Sequence, residues 1–159
     1  MSLGIAHLVH ANVVCSDFDR SYDFYTRLLG GRVLGAPFEF DAGADFMSIL
    51  GVTGPTRCKA ALITWSDDDR ATYLDLLHFA GGGASAPRKP TNAGLARLAF
   101  RVRDIAETLA FIEEHRIPVV GGPVTLTPLR GRVRPVLAIR DPDGTLINLM
   151  QFPELTEQP

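Results

Sequence analysis

The chain reads as an α+β protein built from two tandem βαβββ modules. Two observations carry that reading. The first is an internal repeat. His10 to Asp17 and Arg97 to Asp104 open two similar stretches, and Phe24 with Phe111 and Val33 with Val120 keep the same offset. Tyr73 to Phe79 then matches Leu146 to Phe152 at a shorter offset. The second observation is the order of hydrophobic periods, which runs strand, helix, then strands, once in each half.

Each element has a local reason. Ile5 to Val14 is apolar and β-rich, so a strand is expected there. Ser16 and Asp17 offer an N-cap, and Tyr22, Tyr25 and Leu29 recur at helical spacing. Gly30 and Gly31 should end that helix, because glycine takes the left-handed conformation without a Cβ clash. A weak strand is expected at Arg32 to Leu34, and three more at Ala44 to Leu50, Arg57 to Trp65 and Thr72 to Phe79. Gly51 to Pro55 and Ser66 to Arg70 are the turns between them. In the second half, Leu95 to Val102 is a strand. Asp104 and Glu107 form a capping-box pattern, and Ile105, Leu109 and Ile112 are the stripe of the helix that follows. That helix has ended by Pro118. A weak strand is expected at Pro118 to Val120 or at Val124 to Thr127, and clear ones at Val133 to Ile139 and Leu146 to Phe152. Asp141, Pro142, Asp143 and Gly144 make a turn between the last two. The first module is placed at 4–80, the glycine- and proline-rich linker at 81–93 and the second module at 94–153.

Composition excludes several function classes. The formal net charge is −2 with no long run of either sign, so a nucleic-acid or acidic-membrane partner is not expected. The apolar runs are strand-sized and no membrane span is expected. The N-terminus lacks a basic region followed by an apolar core, which makes the cytoplasm the default location. Cys15 and Cys58 form no disulfide framework and have no metal-binding spacing, so they are expected to pack in the core.

Strand alternation assigns faces. Val9, Ala11 and Val13 should meet the first helix, leaving Leu8, His10, Asn12 and Val14 on the other face. Leu98, Phe100 and Val102 should meet the second helix, leaving Leu95, Arg97, Ala99 and Arg101 opposite. A face so rich in polar groups suits a cavity lining better than a core.

The repeat, the run His10 to Asp17 followed by Ser21, Phe24, Tyr25, Leu28, Leu29 and Gly30, and the ending Asp141 to Asn148 resemble the vicinal oxygen chelate superfamily. That superfamily includes glyoxalase I, methylmalonyl-CoA epimerase, bleomycin-resistance proteins and extradiol dioxygenases. The resemblance implies a curved, cup-like mixed sheet with helices on its outer face, and a divalent metal held by the first and last strands of each module. It also implies a homodimer. The corresponding positions here are His10, Asp75, Arg97 and Asn148.

Two of these depart from the family pattern. Arginine stays protonated and has no lone pair for a metal. At about 4 Å and an effective dielectric near 20, its charge costs a cation on the order of 4 kcal/mol per unit. Asn148 offers one neutral carbonyl oxygen. His10 and Asp75 remain, fewer ligands than a catalytic zinc or non-haem iron site uses. The metal site is therefore expected to be degraded, with no cofactor and with an ion pair between Arg97 and Asp75. The cup is expected to bind a small anionic or oxygen-rich molecule through Arg97, Arg101, Asn12 and Asn148, with His10 and Asp75 as acid–base candidates and metal-independent activity possible. The alternative is a glyoxalase- or epimerase-like lyase or isomerase that binds zinc, nickel, manganese or iron through His10 and Asp75. A ring-cleaving dioxygenase fits less well, for want of a second histidine.

The other histidines and the aromatic residues have structural readings. His7 and His78 fall on the face away from His10 and Asp75. His115 suits a helix C-cap. Phe38, Phe40, Phe46 and Trp65 could wall a cavity or simply pack.

Overall fold

The computed structural model describes residues 3–54, 56–68, 70–83, 86, 89–126 and 134–152. Expectations touching Pro55, Asp69, Thr127, Val133, parts of the 81–93 linker and the chain end at 153 fall partly outside these residues. The chain divides into two compact units, Met1–Ser85 and Ala86–Pro159.

The first unit is a five-stranded mixed sheet. Its strands are β1 (His10–Val14), β2 (Arg32–Val33), β3 (Phe38–Ala42), β4 (Thr56–Thr64) and β5 (Tyr73–Phe79). The order is β1-β5-β4-β2, with β3 also on β4. β1 lies parallel to β5, and the other pairs are antiparallel. Helix α1 (Phe18–Asp23) starts where Asp17 accepts a hydrogen bond from the Arg20 amide at 3.0 Å. It continues through a π-helical turn, Phe24–Leu28, closed by the Leu29 amide on the Phe24 carbonyl. Gly30, at φ +68°, ends it as expected. The face of the sheet beneath α1 is sealed by Val13, Ala61, Ile63, Leu74 and Leu76 against Phe18 and Tyr25. Each fully buried large side chain there contributes about 1.5–3 kcal/mol.

Two expectations need correction here. β1 begins at His10 rather than Ile5, and Ile5, Leu8 and Val9 are exposed. Ala44 to Leu50 is not a strand; Ala44–Ile49 is helix α2, and the strand lies upstream at Phe38–Ala42. Gly43 leads into α2 in extended conformation and Asp45 sits in its first turn, while the segment holds one β-branched residue, Ile49, at its very end. Met47 then buries itself against Ala42 and Cys58, with Phe40, Phe46 and Phe79 packed around them. Of the two readings of Trp65, packing holds: it follows β4 on the α1 side, and its indole N–H donates to the Leu29 carbonyl at 2.7 Å.

The second unit is a four-stranded sheet of order β6-β9-β8-β7. Its strands are β6 (Leu98–Val102), β7 (Val119–Leu126), β8 (Arg134–Arg140) and β9 (Leu146–Gln151). β6 starts at Leu98, leaving Leu95 and Arg97 before it. β7 spans both segments between which the sequence left the choice open. Register shifts around Gly121 to Val124 let one bulged strand run through Pro123. Helix α3 (Ile105–Glu114) is capped by Asp104, which accepts from the Ala106 and Glu107 amides at 2.7 and 2.9 Å. His115 takes the C-cap. Ile112 is buried, as are Leu137, Ile139, Ile147 and Leu149 in the sheet.

The repeat extends to register. Asn12 stands opposite Asp75 in the first sheet, and Ala99 stands opposite Asn148 in the second. These are equivalent positions of the two halves.

Gly31 is the tightest point around α1. A Cβ there would lie 2.4 Å from Ile63 Cγ2, 2.7 Å from the Tyr25 carbonyl oxygen and 2.9 Å from the Trp65 ring. Because one neighbour is backbone, relief needs main-chain movement. Gly31→Ala should cost about 1–3 kcal/mol in urea unfolding, the usual range for overpacking. An unchanged denaturation midpoint would contradict this packing.

Candidate functional site

The parallel β1–β5 pairing builds the polar face of the first unit. Residues paired in register share a face, so His10 and Asn12 stand with Tyr73 and Asp75. The Asn12 amide nitrogen donates to Asp75 Oδ2 at 2.8 Å. The His10 and Tyr73 rings lie 5.4 Å apart at an interplanar angle of 34°. Two buried side-chain atoms here have no hydrogen-bond partner, His10 Nδ1 and Asp75 Oδ1. Asn12 thus fixes one carboxylate oxygen and leaves the other free. A buried polar atom left without a partner costs about 1–3 kcal/mol, so two on one face are an unsatisfied demand.

β4 and β3 extend the same face. Leu62 pairs with Asp75, Ala60 with Leu77, and Phe38 with Ala60. Phe38 is about half exposed and lies 5.8 Å from Phe40, which meets Phe46 of α2 edge-on at 5.2 Å. Three of the four aromatics singled out in the sequence therefore belong to this side of the sheet, and Trp65 does not. The small Ala60, itself buried, stands between Phe38 and Leu77 in the register.

His78 and His115 are placed as expected, and His7 lies outside the strand in which it was expected. The register of β5 on β4 runs without a bulge from Cys58 to Ile63, which keeps His78 opposite in direction to Asp75. Its Nδ1 lies 3.1 Å from the Cys15 carbonyl. His7 precedes β1 and is exposed. His115 Nδ1 lies 2.9 Å from the Phe111 carbonyl. Cys15 and Cys58 are buried thiols outside any disulfide, and Cys15 Sγ donates to the Leu77 carbonyl at 3.3 Å.

In the second unit, Ala99, Arg101, Asn148 and Met150 share a face, and Arg97 lies just before β6, exposed. Arg101 is also exposed; its guanidinium carbon is 5.9 Å from the centre of the Phe152 ring. Arg134 comes closer to the same ring, at 4.3 Å. Tyr73, Arg134 and Phe152 were not singled out in the sequence. Tyr73 could have been found by placing β5 parallel to β1. Arg134 gives no signal until the β8–β9 register puts it beside Phe152.

Among the described residues, no three His, Cys, Asp or Glu side chains gather as a metal-binding group. The first unit offers one free imidazole nitrogen and one free carboxylate oxygen. The equivalent positions of the second unit hold a guanidinium and a neutral amide. A partner for Asp75 was expected, and within its own unit that partner is Asn12. The expected pairing with Arg97 would join the two units and stays an expectation.

A family model described as the glyoxalase/bleomycin resistance protein/dioxygenase superfamily matches residues 5–149. The chain belongs to that superfamily, the vicinal oxygen chelate group. A glyoxalase domain-containing protein of Mycosarcoma maydis is 31% identical over 153 residues, covering 94% of this chain and 70% of that protein. Among solved structures, a glyoxalase family protein from Bacillus cereus aligns with a TM-score of 0.73 at 20% identity, covering 95% of this chain and 97% of its own. The trypanothione-dependent glyoxalase I of Leishmania major aligns at 0.63 and 21% identity, with 92% and 87% covered. An antibiotic-binding protein from a Streptomyces species aligns at 0.57 and 22% identity, with 94% and 98% covered. An enzyme and a binder share this fold, so the fold alone does not choose between them.

Burial raises the Asp75 carboxyl above its ordinary value of 3.8, against opposing pulls from the His10 charge and the Asn12 hydrogen bond. The folded protein therefore keeps this proton to higher pH than the unfolded chain does. Stability from this group is greatest below the unfolded value. It falls as pH rises through the folded value, and the cost of the ionised carboxylate is then fully present. Asp75→Asn removes that cost. Its stability at pH 7 should equal or exceed that of the parent, and the difference should vanish as pH falls below 3.8. Urea unfolding across this range checks it, and a clear loss of stability in D75N at pH 7 would contradict it.

Proposed function

We propose that this protein binds a small, oxygen-rich, anionic molecule on the polar faces of its sheets, without a resident divalent metal. The observation that carries the reading is the pair of buried, unpartnered atoms, His10 Nδ1 and Asp75 Oδ1, on one face of the first sheet. A hydroxyl or enol group of a ligand satisfies both demands at once, because it can donate to the carboxylate oxygen and accept from an imidazole N–H. Asn12 holds Asp75 in place for that contact. Arg97, Arg101 and Asn148 supply donors suited to a carboxylate or phenolate in the second unit.

The residues do not fit a divalent metal centre. A catalytic zinc keeps three protein ligands and the iron facial triad needs two histidines and a carboxylate. His10 and Asp75 supply two donors, Arg97 none and Asn148 one weak oxygen. The same geometry supports metal-independent proton transfer. Asp75 Oδ1 can accept a proton from a carbon next to a carbonyl, with the Asn12 amide holding the carboxylate in place.

The test combines metal analysis with ligand response. Protein purified without chelator should hold well under one equivalent of zinc, nickel, manganese or iron. Small hydroxy-acids or phenols should raise its melting temperature, and H10A and D75N should weaken their binding by about tenfold or more, the loss expected for a buried charged hydrogen bond. One tightly held equivalent of metal, lost in H10A, would overturn the reading and favour a metal-dependent lyase or isomerase.

A further inference from the structure

The register of the second sheet places a set of residues on one face with no acidic member among them. Arg101 and Met150 pair across β6 and β9, and Met150 pairs with Val136 across β9 and β8. Ala138 and Asn148, Arg140 and Leu146, and Arg134 and Leu126 complete the face. None of the ion pairs among the described residues involves Arg97, Arg101 or Arg134. The whole chain carries a net charge of −2, so this concentration of arginine is local.

Two of these guanidiniums share one aromatic ring. Arg134 lies 4.3 Å and Arg101 5.9 Å from the Phe152 centroid. Both distances fall within the roughly 6 Å reach of a cation–π contact. Such a contact uses the flat face of a guanidinium and leaves its in-plane N–H donors free for a forked acceptor. It also removes side-chain freedom before any ligand arrives, which lowers the entropic cost of binding. Two like charges held around one ring repel each other, and among the described residues of this face no carboxylate offsets them. Arg134 Nε is moreover buried and has no hydrogen-bond partner. Cation–π packing satisfies neither the repulsion nor that N–H, whereas an anion satisfies both.

We propose that this face of the second unit binds a small molecule carrying at least two negative charges, a phosphate ester or a dicarboxylate, through Arg101 and Arg134 around Phe152. The inference deepens the binding reading above by naming the charge of the ligand, and it rests on that reading for the ligand being a small molecule.

The experiment is isothermal titration of the full chain with pyrophosphate and, separately, with succinate, at low and at physiological ionic strength. At least one probe should bind saturably at one site. The one that binds identifies phosphate or dicarboxylate as the better match. Arg101→Gln should weaken it by tenfold or more, and Arg134→Gln should do the same. R27Q, which removes an exposed guanidinium paired with Asp23 on the first unit's helix, should leave it unchanged. Arg101 is exposed on an edge strand, so R101Q carries the test even if R134Q does not fold. The proposal is overturned if neither probe binds, if R101Q binds as tightly as the parent, or if a short RNA competes with the probe more strongly than the probe binds itself. Anion binding that fails while hydroxy-acid binding remains sensitive to D75N overturns this proposal alone. The converse result overturns the reading at Asp75 and leaves this one standing.

Discussion

Parallel pairing of the first and last strands of each unit is the constraint on which the rest depends. In the first unit it joins residues far apart in the chain and fixes Asn12 opposite Asp75 and His10 opposite Tyr73. Parallel strands cannot be joined by a tight turn, so the connection must leave the sheet and return. The helix α1 lies along that path and covers one face, which buries Val13, Leu74 and Leu76 beneath it. The other face is then free to carry polar groups. The second unit repeats the arrangement, with β6 on β9 and α3 over the buried side.

The two units share this frame and put different chemistry on it. The first carries an imidazole, a carboxylate and an amide, partly buried and incompletely paired. The second carries an exposed arginine, Arg97, an alanine, Ala99, and a neutral asparagine, Asn148, at the matching positions. Burial and charge act in opposite ways on the two. Desolvation disfavours the ionised form of Asp75, and the His10 charge and the Asn12 hydrogen bond only partly offset that. Arginine keeps its charge in nearly any setting and stays near water. Duplicated geometry with diverged side chains gives one fold two unlike polar surfaces.

The insertion of β3 and α2 makes the first unit unlike the second. Phe40, Phe46 and Met47 close around Ala42 and Cys58, giving this side of the sheet a small apolar cluster of its own. Phe38 stands beside Phe40 of that cluster and pairs with Ala60, on the same sheet face as Leu62 and Asp75. An apolar wall beside a fixed polar group is the usual composition of a small-molecule site.

Much of this was legible in the chain. The repeat, the caps at Asp17 and Asp104, the stop at Gly30 and the turn at Asp141 to Gly144 are local features. They act through backbone geometry and short-range hydrogen bonds, which a sequence states directly. Face assignments followed from strand alternation, and they placed His10, Asn12 and Asp75 together and His78 apart. The segment Ala44 to Leu50 misled because its apolar run has no clear period. Whether such a run becomes strand or helix depends on what it packs against, here Ala42 and Cys58. Asn12 as the partner of Asp75, and Arg134 beside Phe152, were decided by register alone. Register is a relation between strands distant in the chain, and it is set by how side chains fit across the sheet once it has formed, which is why only the tertiary structure could supply it.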